Sequence, residues 1–372
     1  MRDRNTADVV IVGAGVAGCA AAYYLTTMGA RPVVVEREGV AAAASGFAQG
    51  GLYIMSGAGM DGPFFPLVRE SLRMHRELHP VLAEATGLDS RLAEKDILTV
   101  ALEHDDLEAL RILRAQQEAN GFTVEWHEGV EVRELEPGIG PSVLGGMLTR
   151  HTWLLDSETL TRSLMRAAER NGAEIRIAGA SGLRWNGDRA NGVELDDGGA
   201  IECDNVVLAM GPWSAHLREW IGVDVPVRPI KGEILRIRTD TMPAMAHIGW
   251  LHSYLVRKPD GLLWTGTTED DVGFDREPSA SAAERIMAGA RRVFPAIDRG
   301  AVELHTACLR PVAPDNAPII GPVPGLRGVY LATGAGRKGI LAGPALGKAT
   351  ADLITTGATS LPIETLGLDR FL

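Results

Sequence analysis

The alternation of apolar and polar positions at the start of the chain predicts a βαβ unit. An apolar run at 9–12 is followed by a helical pattern at 15–29 and by a second apolar run at 31–36. Runs of this length are typical of buried strands, and the segment between them is long enough for a crossover helix. We therefore expect two neighbouring parallel strands joined by a helix.

Longer helical patterns follow. Apolar positions at helical spacing predict helices at 64–87, 105–121 and 157–172, and each pattern closes on a glycine, the residue preferred just beyond a helix C-terminus. Either Asp156 or Ser157 can cap the third helix, because both side chains offer an oxygen to unpaired backbone N–H groups.

The second half of the chain is richer in strands. Strand-forming residues dominate 227–268, with a turn at 258–261, and the glycines and aspartates at 196–199 predict a hairpin. A helix is predicted at 280–294 and another from about Lys338. A parallel α/β core with a separate antiparallel β-rich part is the simplest architecture for this order of elements.

Composition narrows the functional classes. A chain of 372 residues can form two domains, and its net charge of -11 argues against nucleic acid as a partner. Cys19, Cys203 and Cys308 form no C-x-x-C pair, so we predict no disulfide framework and no metal site. The three scattered cysteines fit a reducing cytosol, so we expect a cytoplasmic protein. No run of about twenty apolar residues occurs, which predicts no membrane span. The composition leaves a homo-oligomer open.

The first candidate site is a glycine-rich turn. Gly13, Gly15 and Gly18 satisfy G-x-G-x-x-G between the first strand and its helix, and Glu36 ends the second strand. Such glycines allow a tight turn and a close approach to a pyrophosphate at the helix N-terminus, while the acidic residue can bind a ribose. The unit predicts FAD or NAD.

A second glycine match near the C-terminus has a different meaning. Gly334, Gly336 and Gly339 also follow a strand and open a helix, but the 372-residue chain leaves too few residues for a second βαβ unit. Arg337 and Lys338 also occupy the loop. A helix N-terminus can still stabilise another anion, such as the pyrimidine edge of a reduced flavin. We therefore do not interpret it as a second nucleotide site.

Several motifs together resemble the D-amino-acid oxidase superfamily of FAD enzymes, with glycine oxidase the most similar branch and sarcosine oxidase-like enzymes second. The resemblance covers nearly the whole chain. Its motifs are DVVIVGAGVAG with Glu36, ASGFAQGGL at 44–52, VVLAMGPWS at 206–214, VRPIKGEILRIR at 227–238, HSYLVRKPDGLLWTGTTEDDVGFD at 252–275, ACLRPVAPDNAPIIG at 307–321 and YLATGAGRKGILAGPALG at 330–347.

The resemblance implies a fold and a set of cofactor contacts. It implies a Rossmann-type FAD domain from 1–85, 148–226 and 306–372, and an antiparallel β-rich substrate domain from 86–147 and 227–305. The residues implied to contact FAD are Gly13, Gly15, Val16, Ala17, Gly18, Glu36, Arg37, Ser45, Gly50, Gly51, Gly211, Trp213, Gly334, Gly336, Arg337, Lys338, Gly339 and Ile340.

The resemblance also implies the chemistry. Arg310 matches the arginine that binds the substrate carboxylate, Arg337 matches a second active-site arginine, and Tyr254 matches a tyrosine that borders the substrate. A planar guanidinium suits the first role because it forms two parallel hydrogen bonds to a carboxylate. The implied reaction moves a hydride from the carbon bearing nitrogen to flavin N5, gives an imine, and passes electrons to O2 as H2O2.

Alternatives for the reaction, the flavin attachment and the substrate stay open at this point. The enzyme could be a dehydrogenase with another electron acceptor, or the protein could be a flavin-binding redox protein without turnover. Cys308 stands where sarcosine oxidase-like relatives attach flavin covalently, although non-covalent FAD fits the glycine oxidase pattern better.

Ala335 and Lys338 depart from the histidine and asparagine usual in glycine oxidase. These departures favour a specialised amino acid or cyclic amine as strongly as glycine.

Overall fold

The computed structural model describes residues 5–54, 62–250 and 253–372. The chain divides into two compact units. Unit 1 consists of Met1–Leu92, Leu155–Pro229 and Leu309–Leu372, and unit 2 consists of Ala93–Leu154 and Ile230–Cys308. Each unit is therefore assembled from segments that are distant in sequence.

Strands and helices are numbered in chain order. The strands are β1 Thr6–Val12, β2 Pro32–Glu36, β3 Ala93–Ala101, β4 Val124–Glu128, β5 Gly145–Leu154, β6 Glu174–Ile177, β7 Ala180–Asn186, β8 Arg189–Leu195, β9 Ala200–Leu208, β10 Arg228–Arg238, β11 His247–Trp250, β12 Ser253–Arg257, β13 Leu263–Gly266, β14 Ala301–Val312, β15 Ile319–Pro322 and β16 Val329–Thr333. The α-helices are α1 Val16–Thr27, α2 Ala44–Phe47, α3 Phe65–Thr86, α4 His104–Ala119, α5 Gly129–Leu135, α6 Ser157–Arg170, α7 Arg218–Ile221, α8 Ala280–Val293 and α9 Gly339–Thr356. Short 3-10 turns occupy Gly211–His216, Pro295–Arg299, Gly336–Lys338 and Leu368–Phe371.

Unit 1 contains a sheet with a parallel centre. Its strand order is β15-β16-β9-β1-β2-β6, with β8 also beside β9 and β7 beside β8. The pairs β1–β2, β1–β9, β16–β9 and β2–β6 are parallel, whereas β15 is antiparallel to β16. The valine- and isoleucine-rich interiors of β1 and β2 are buried, as expected for strands covered on both faces. This confirms the Rossmann-type core.

Unit 2 contains a largely antiparallel sheet. Its strand order is β14-β10-β13-β12-β11-β3-β5-β4. The pairs β10–β13, β12–β13 and β3–β5 are antiparallel, but β11 runs parallel to β3. One apolar core joins Leu148, Leu235 and Leu255 of the sheet to Val132 of α5 and Ile286 of α8. The β-rich second part is confirmed, with one parallel pair added.

Helices α1 and α9 pack side by side in the same direction. A Cβ added to Gly343 would lie 2.5 Å from a Val16 methyl, and one added to Gly347 would lie 2.4 Å from Ala20. Because equal steps along α9 match equal steps along α1, the two helices are parallel. Both N-termini therefore lie at the end of the sheet where β1 and β16 finish.

The predicted helices are confirmed, and one open choice is settled. The Asp156 side chain accepts a hydrogen bond from the Thr159 backbone N–H at 2.7 Å, so Asp156 and not Ser157 caps α6. Gly87, at φ +73°, ends α3 in the left-handed conformation that favours glycine. Within the described residues, no helix is long and apolar enough to cross a membrane.

Candidate active site

The first glycine turn is shaped by close backbone contacts. Gly13 has φ +108°, and a Cβ there would lie 2.5 Å from the carbonyl oxygen of Ala209. A Cβ on Gly18 would lie 2.0 Å from the carbonyl oxygen of Gly13. Any side chain at either position would displace backbone, so the glycines hold the end of β1, the turn and the first turn of α1 together.

The N-terminus of α1 has features that favour an anion. Its N-cap, Gly15, makes no side-chain capping bond, and its first turn contains no acidic residue. The Val16 backbone N–H donates to Ser45 Oγ at 2.9 Å. A helix N-terminus with its partial positive charge suits a phosphate group.

Glu36 lies against the same turn. Its Oε2 accepts a hydrogen bond from the Ala14 backbone N–H at 2.8 Å, and its Oε1 accepts one from the Glu38 N–H at 2.9 Å. The carboxylate is thus held in one orientation beside the helix N-terminus. Because each carboxylate oxygen has a second lone pair, Glu36 can still accept from ribose hydroxyls. The turn and this carboxylate together fit the adenosine diphosphate part of FAD.

A second edge of the site is formed by Arg37 and Trp213. The Arg37 guanidinium lies 4.1 Å from the centre of the Trp213 ring, a cation–π stack. The 3-10 turn that carries Trp213 is tied to β16, since Ser214 Oγ donates to Thr333 Oγ1 at 3.0 Å and Thr333 Oγ1 donates to the Gly211 carbonyl at 3.0 Å. Neither hydroxyl residue was predicted as part of the site; Thr333, a polar residue at the end of an apolar strand, carries the signal that could have found it.

The second glycine loop precedes α9. Gly334 at φ +80° and Gly336 at φ +52° adopt conformations that favour glycine. Lys338 is the N-cap residue and is buried, with 7% of its surface exposed. Its Nζ donates to the carbonyl oxygens of Tyr53 at 3.1 Å and Ile54 at 3.4 Å. Burial lowers the pKa of Lys338 to about 8.

The segment from Ser45, in α2, to Ile54 connects the two helix N-termini. Ser45 accepts from the start of α1, and the carbonyls of Tyr53 and Ile54 accept from Lys338 at the start of α9. The Gly50 carbonyl in between accepts from the Leu155 N–H at 3.0 Å. One continuous segment thus runs from the N-terminus of α1 to the second glycine loop.

Arg310 and Arg337 lie close to one backbone bridge. Val312, at the end of β14, pairs with Ala335 in an antiparallel bridge. Arg310 is two residues before Val312, and Arg337 is two residues after Ala335. Because the two segments run antiparallel, both arginines lie just beyond the same end of that bridge. Arg310 is partly exposed and Arg337 is exposed. The second glycine loop therefore brings two of the predicted catalytic residues to one region of unit 1.

Tyr254 and Cys308 belong to unit 2. Tyr254 is buried on β12 in an apolar cluster with Ile234, Val256 and Trp264. Its ring is roughly perpendicular to that of His247, at 86°, with centroids 6.1 Å apart. Cys308 is a buried free cysteine on β14.

His252, the first residue of the HSYLV motif, lies outside the described residues. Within 5–54, 62–250 and 253–372, no group of three or more histidine, cysteine, aspartate or glutamate side chains could hold a metal ion.

Both the sequence and the fold resemble those of known proteins. The family model described as DAO, FAD dependent oxidoreductase, matches residues 8–353. Glycine oxidase of Bacillus licheniformis is 28% identical over 368 residues, covering 99% of this chain and 97% of the relative. The crystal structure of glycine oxidase from Geobacillus kaustophilus superposes with a TM-score of 0.93 at 27% identity, covering 99% of this chain and 100% of that chain. L-Proline dehydrogenase from P. horikoshii, at 20% identity and a TM-score of 0.86 over 99% of this chain and 98% of that chain, shares the fold.

Proposed function

Because this chain belongs to the DAO family of FAD-dependent oxidoreductases, we propose that it oxidises the carbon–nitrogen bond of a small amino acid or related amine. The family model covers residues 8–353, and the protein is accordingly an FAD-dependent oxidoreductase. The observation that carries the proposal is that the glycine turns at 13–18 and 334–339 both lie where parallel strands β1 and β16 end.

We assign the two ends of FAD to the two glycine turns. The N-terminus of α1 would hold the diphosphate and Glu36 the adenosine ribose, since they offer N–H donors and a fixed acceptor. The segment 45–54 and the loop 334–340 would hold the flavin ring. We expect non-covalent binding, with attachment to Cys308 as the alternative.

When bound, FAD would supply the two-electron acceptor for oxidation of the substrate's carbon–nitrogen bond to an imine, with O2 as the final acceptor and H2O2 as its product. The protein's own residues then have to orient the substrate and hold its charge. We propose that the Arg310 guanidinium binds the substrate carboxylate in a plane through two hydrogen bonds. Arg337, close to the same bridge, would bind the same carboxylate or a second acidic group.

Our proposal for the substrate class depends on the enzymes that the chain resembles and on two positions at which it differs from the glycine oxidase pattern. The similar curated relatives and structures include glycine oxidases, which supports a small amino acid. Lys338 and Ala335 stand where glycine oxidase usually has asparagine and histidine, so we propose that a different small or cyclic amine is an equal candidate. The proximity of Tyr254 to the substrate stays a prediction from the family resemblance.

An anaerobic screen tests this function. The purified holoenzyme is mixed without oxygen with glycine, sarcosine, D-amino acids and proline analogues, and the yellow flavin absorbance is followed. We expect at least one amine to bleach the flavin. If none does, while dithionite bleaches it fully, the protein is a flavin-binding protein without amine oxidation.

The same preparation separates an oxidase from a dehydrogenase. The best amine is added under air, and H2O2 is measured against substrate consumed. An oxidase gives one H2O2 per substrate. A dehydrogenase bleaches without oxygen but turns over only after an artificial electron acceptor is added.

A further inference from the structure

A proline interrupts the hydrogen bonding at the start of α9. Pro344 lies inside this helix, five residues after its first residue, Gly339. In an α-helix the carbonyl of residue 340 accepts from the N–H of residue 344. Proline has no N–H, so this bond to the Ile340 carbonyl is missing. A buried carbonyl without a donor is costly, and another donor is expected nearby.

His75 of α3 supplies that donor. Its Nε2 lies 3.0 Å from the Ile340 carbonyl oxygen and 3.1 Å from that of Leu341. Because carbonyls only accept hydrogen bonds, Nε2 carries the hydrogen. His75 is 2% exposed, so no bulk water competes for these bonds.

Ser71, one turn earlier on α3, makes a second contact with the same stretch. Its Oγ accepts from the Ala345 backbone N–H at 3.3 Å, and its side chain is fully buried. The residues on both sides of the proline thus bond to one face of α3. Burial lowers the pKa of His75 to about 4, which keeps the ring neutral near neutral pH.

The stretch that α3 holds is the continuation of the second glycine loop. Ile340 follows directly on Lys338 and Gly339, and Lys338 bonds in turn to the segment ending at Ile54. A shift of the first turn of α9 would therefore move the N-cap and the loop that carries Arg337.

We propose that His75, assisted by Ser71, is a positioning residue of the flavin site: it replaces the hydrogen bond that Pro344 removes and so fixes the loop 334–340 against the flavin. This rests on the proposed function, because it assigns that loop to the flavin. His75 itself contacts neither flavin nor substrate in this assignment.

The test compares four proteins: wild type, His75→Leu, Pro344→Ala and the double variant. FAD affinity is measured by titrating the apoprotein, and the midpoint potential of the bound flavin by dye equilibration. We expect His75→Leu to weaken FAD binding by roughly tenfold, as for loss of a buried hydrogen bond, and to shift the potential. Pro344→Ala restores the N–H at residue 344, so the double variant should recover most of both losses.

Control variants separate positioning from general stability. His79→Leu removes a histidine one turn further along α3 that bonds to Ser90 instead, and it should leave FAD affinity and potential unchanged. His75→Gln retains a donor at similar reach and should bind FAD nearly as wild type does.

Two results would overturn the proposal. In the first, His75→Leu lowers the melting temperature but leaves FAD affinity and flavin potential as in wild type. In the second, Pro344→Ala gives no recovery in the double variant. If His75→Leu does not fold, Ser71→Ala is measured by the same readouts: weaker FAD binding and a shifted potential support the proposal, and wild-type values overturn it. A wild-type protein that binds no FAD would instead refute the proposed function itself.

Discussion

A buried ammonium distinguishes the second glycine loop at the scale of single residues. Lys338 is 7% exposed, and its Nζ donates to the backbone carbonyls of Tyr53 and Ile54. Burial disfavours the charged form, which is why the pKa of Lys338 falls to about 8. The folded state therefore binds this proton less tightly than the unfolded chain does.

Lys338→Met tests how the lowered pKa of Lys338 makes stability depend on pH. The folded pKa is lowered, so the wild-type stability should fall as the pH drops from the unfolded value, near 10.5, through about 8. The unfolding free energy of Lys338→Met minus that of wild type should therefore be larger at pH 7 than at pH 9, by about 1 kcal/mol. Urea unfolding of both proteins at the two pH values measures this. If the difference in unfolding free energy between the two proteins is the same at pH 7 and pH 9, the pKa of Lys338 is not lowered.

Arg310 is the residue on which substrate binding depends in our proposal. Arg310→Ala removes a charged clamp, so kcat/KM for a carboxylate-bearing amine should fall by about a hundredfold or more. Steady-state kinetics on the best amine from the screen measures it. Arg327→Ala is the matched control, because Arg327 is an exposed arginine of unit 1 paired with Asp188. Similar kinetics in both variants would remove Arg310 from the site.

Some site residues could be predicted from local sequence and others could not. Gly13 and Gly18 were predictable because a β-turn-α pattern imposes their backbone geometry locally. The contact of His75 with Ile340 was not, since the two lie 265 residues apart and only the folded chain brings them together. Pro344 within a helical pattern is the one local signal that a distant donor is needed.

At the scale of elements, the packing of α1 against α9 aligns the two N-termini. Small residues permit it: a Cβ on Gly347 would lie 2.4 Å from the Ala20 carbonyl carbon and 2.5 Å from the Ala21 nitrogen. Both atoms are backbone and cannot move independently of α1. The helices themselves were predictable from periodicity, but their parallel contact depends on the sheet order, which periodicity does not contain.

Gly347→Ala should therefore destabilise the fold even though alanine favours helix. Overpacking of this kind costs about 1–3 kcal/mol, more than the helix propensity gained. Gly339→Ala is the control for stability, because a Cβ there meets nothing within 4 Å. Thermal unfolding compares the two. If Gly347→Ala is as stable as Gly339→Ala, the helices are not in contact as described.

At the scale of the whole molecule, two neutral histidines link stability to pH. Burial lowers the pKa of His75 to about 4, and burial together with the nearby Lys258 lowers that of His247 to about 3. In the unfolded chain these two histidines take up protons below about pH 6.5, whereas in the folded chain they do so only near their lowered pKa values. Stability should thus be highest above pH 6.5 and fall as the pH drops towards 4.

We expect a loss of the order of 2 kcal/mol per histidine between pH 7 and pH 5. Urea unfolding of the holoprotein at both pH values measures the total, and His75→Gln should remove about half of it. A stability that is flat over this range would mean that neither ring is held neutral.

The resemblance to FAD oxidases predicted the architecture of the whole chain, and the fold confirms it. The parallel pairing of β11 with β3 was not predictable, because it joins residues near 98 to residues near 248 within a sheet that is otherwise largely antiparallel. The domain boundaries and the roles of Arg310, Arg337 and Tyr254 remain predictions.

The most direct measurement is the rate at which an amine reduces the bound flavin without oxygen, with hydrogen or deuterium on the carbon that carries nitrogen. Hydride loss from that carbon is the step that the whole arrangement serves. Stopped-flow absorbance should show slower flavin bleaching with the deuterated amine. Equal rates, or bleaching without oxidation of that carbon, would contradict the account.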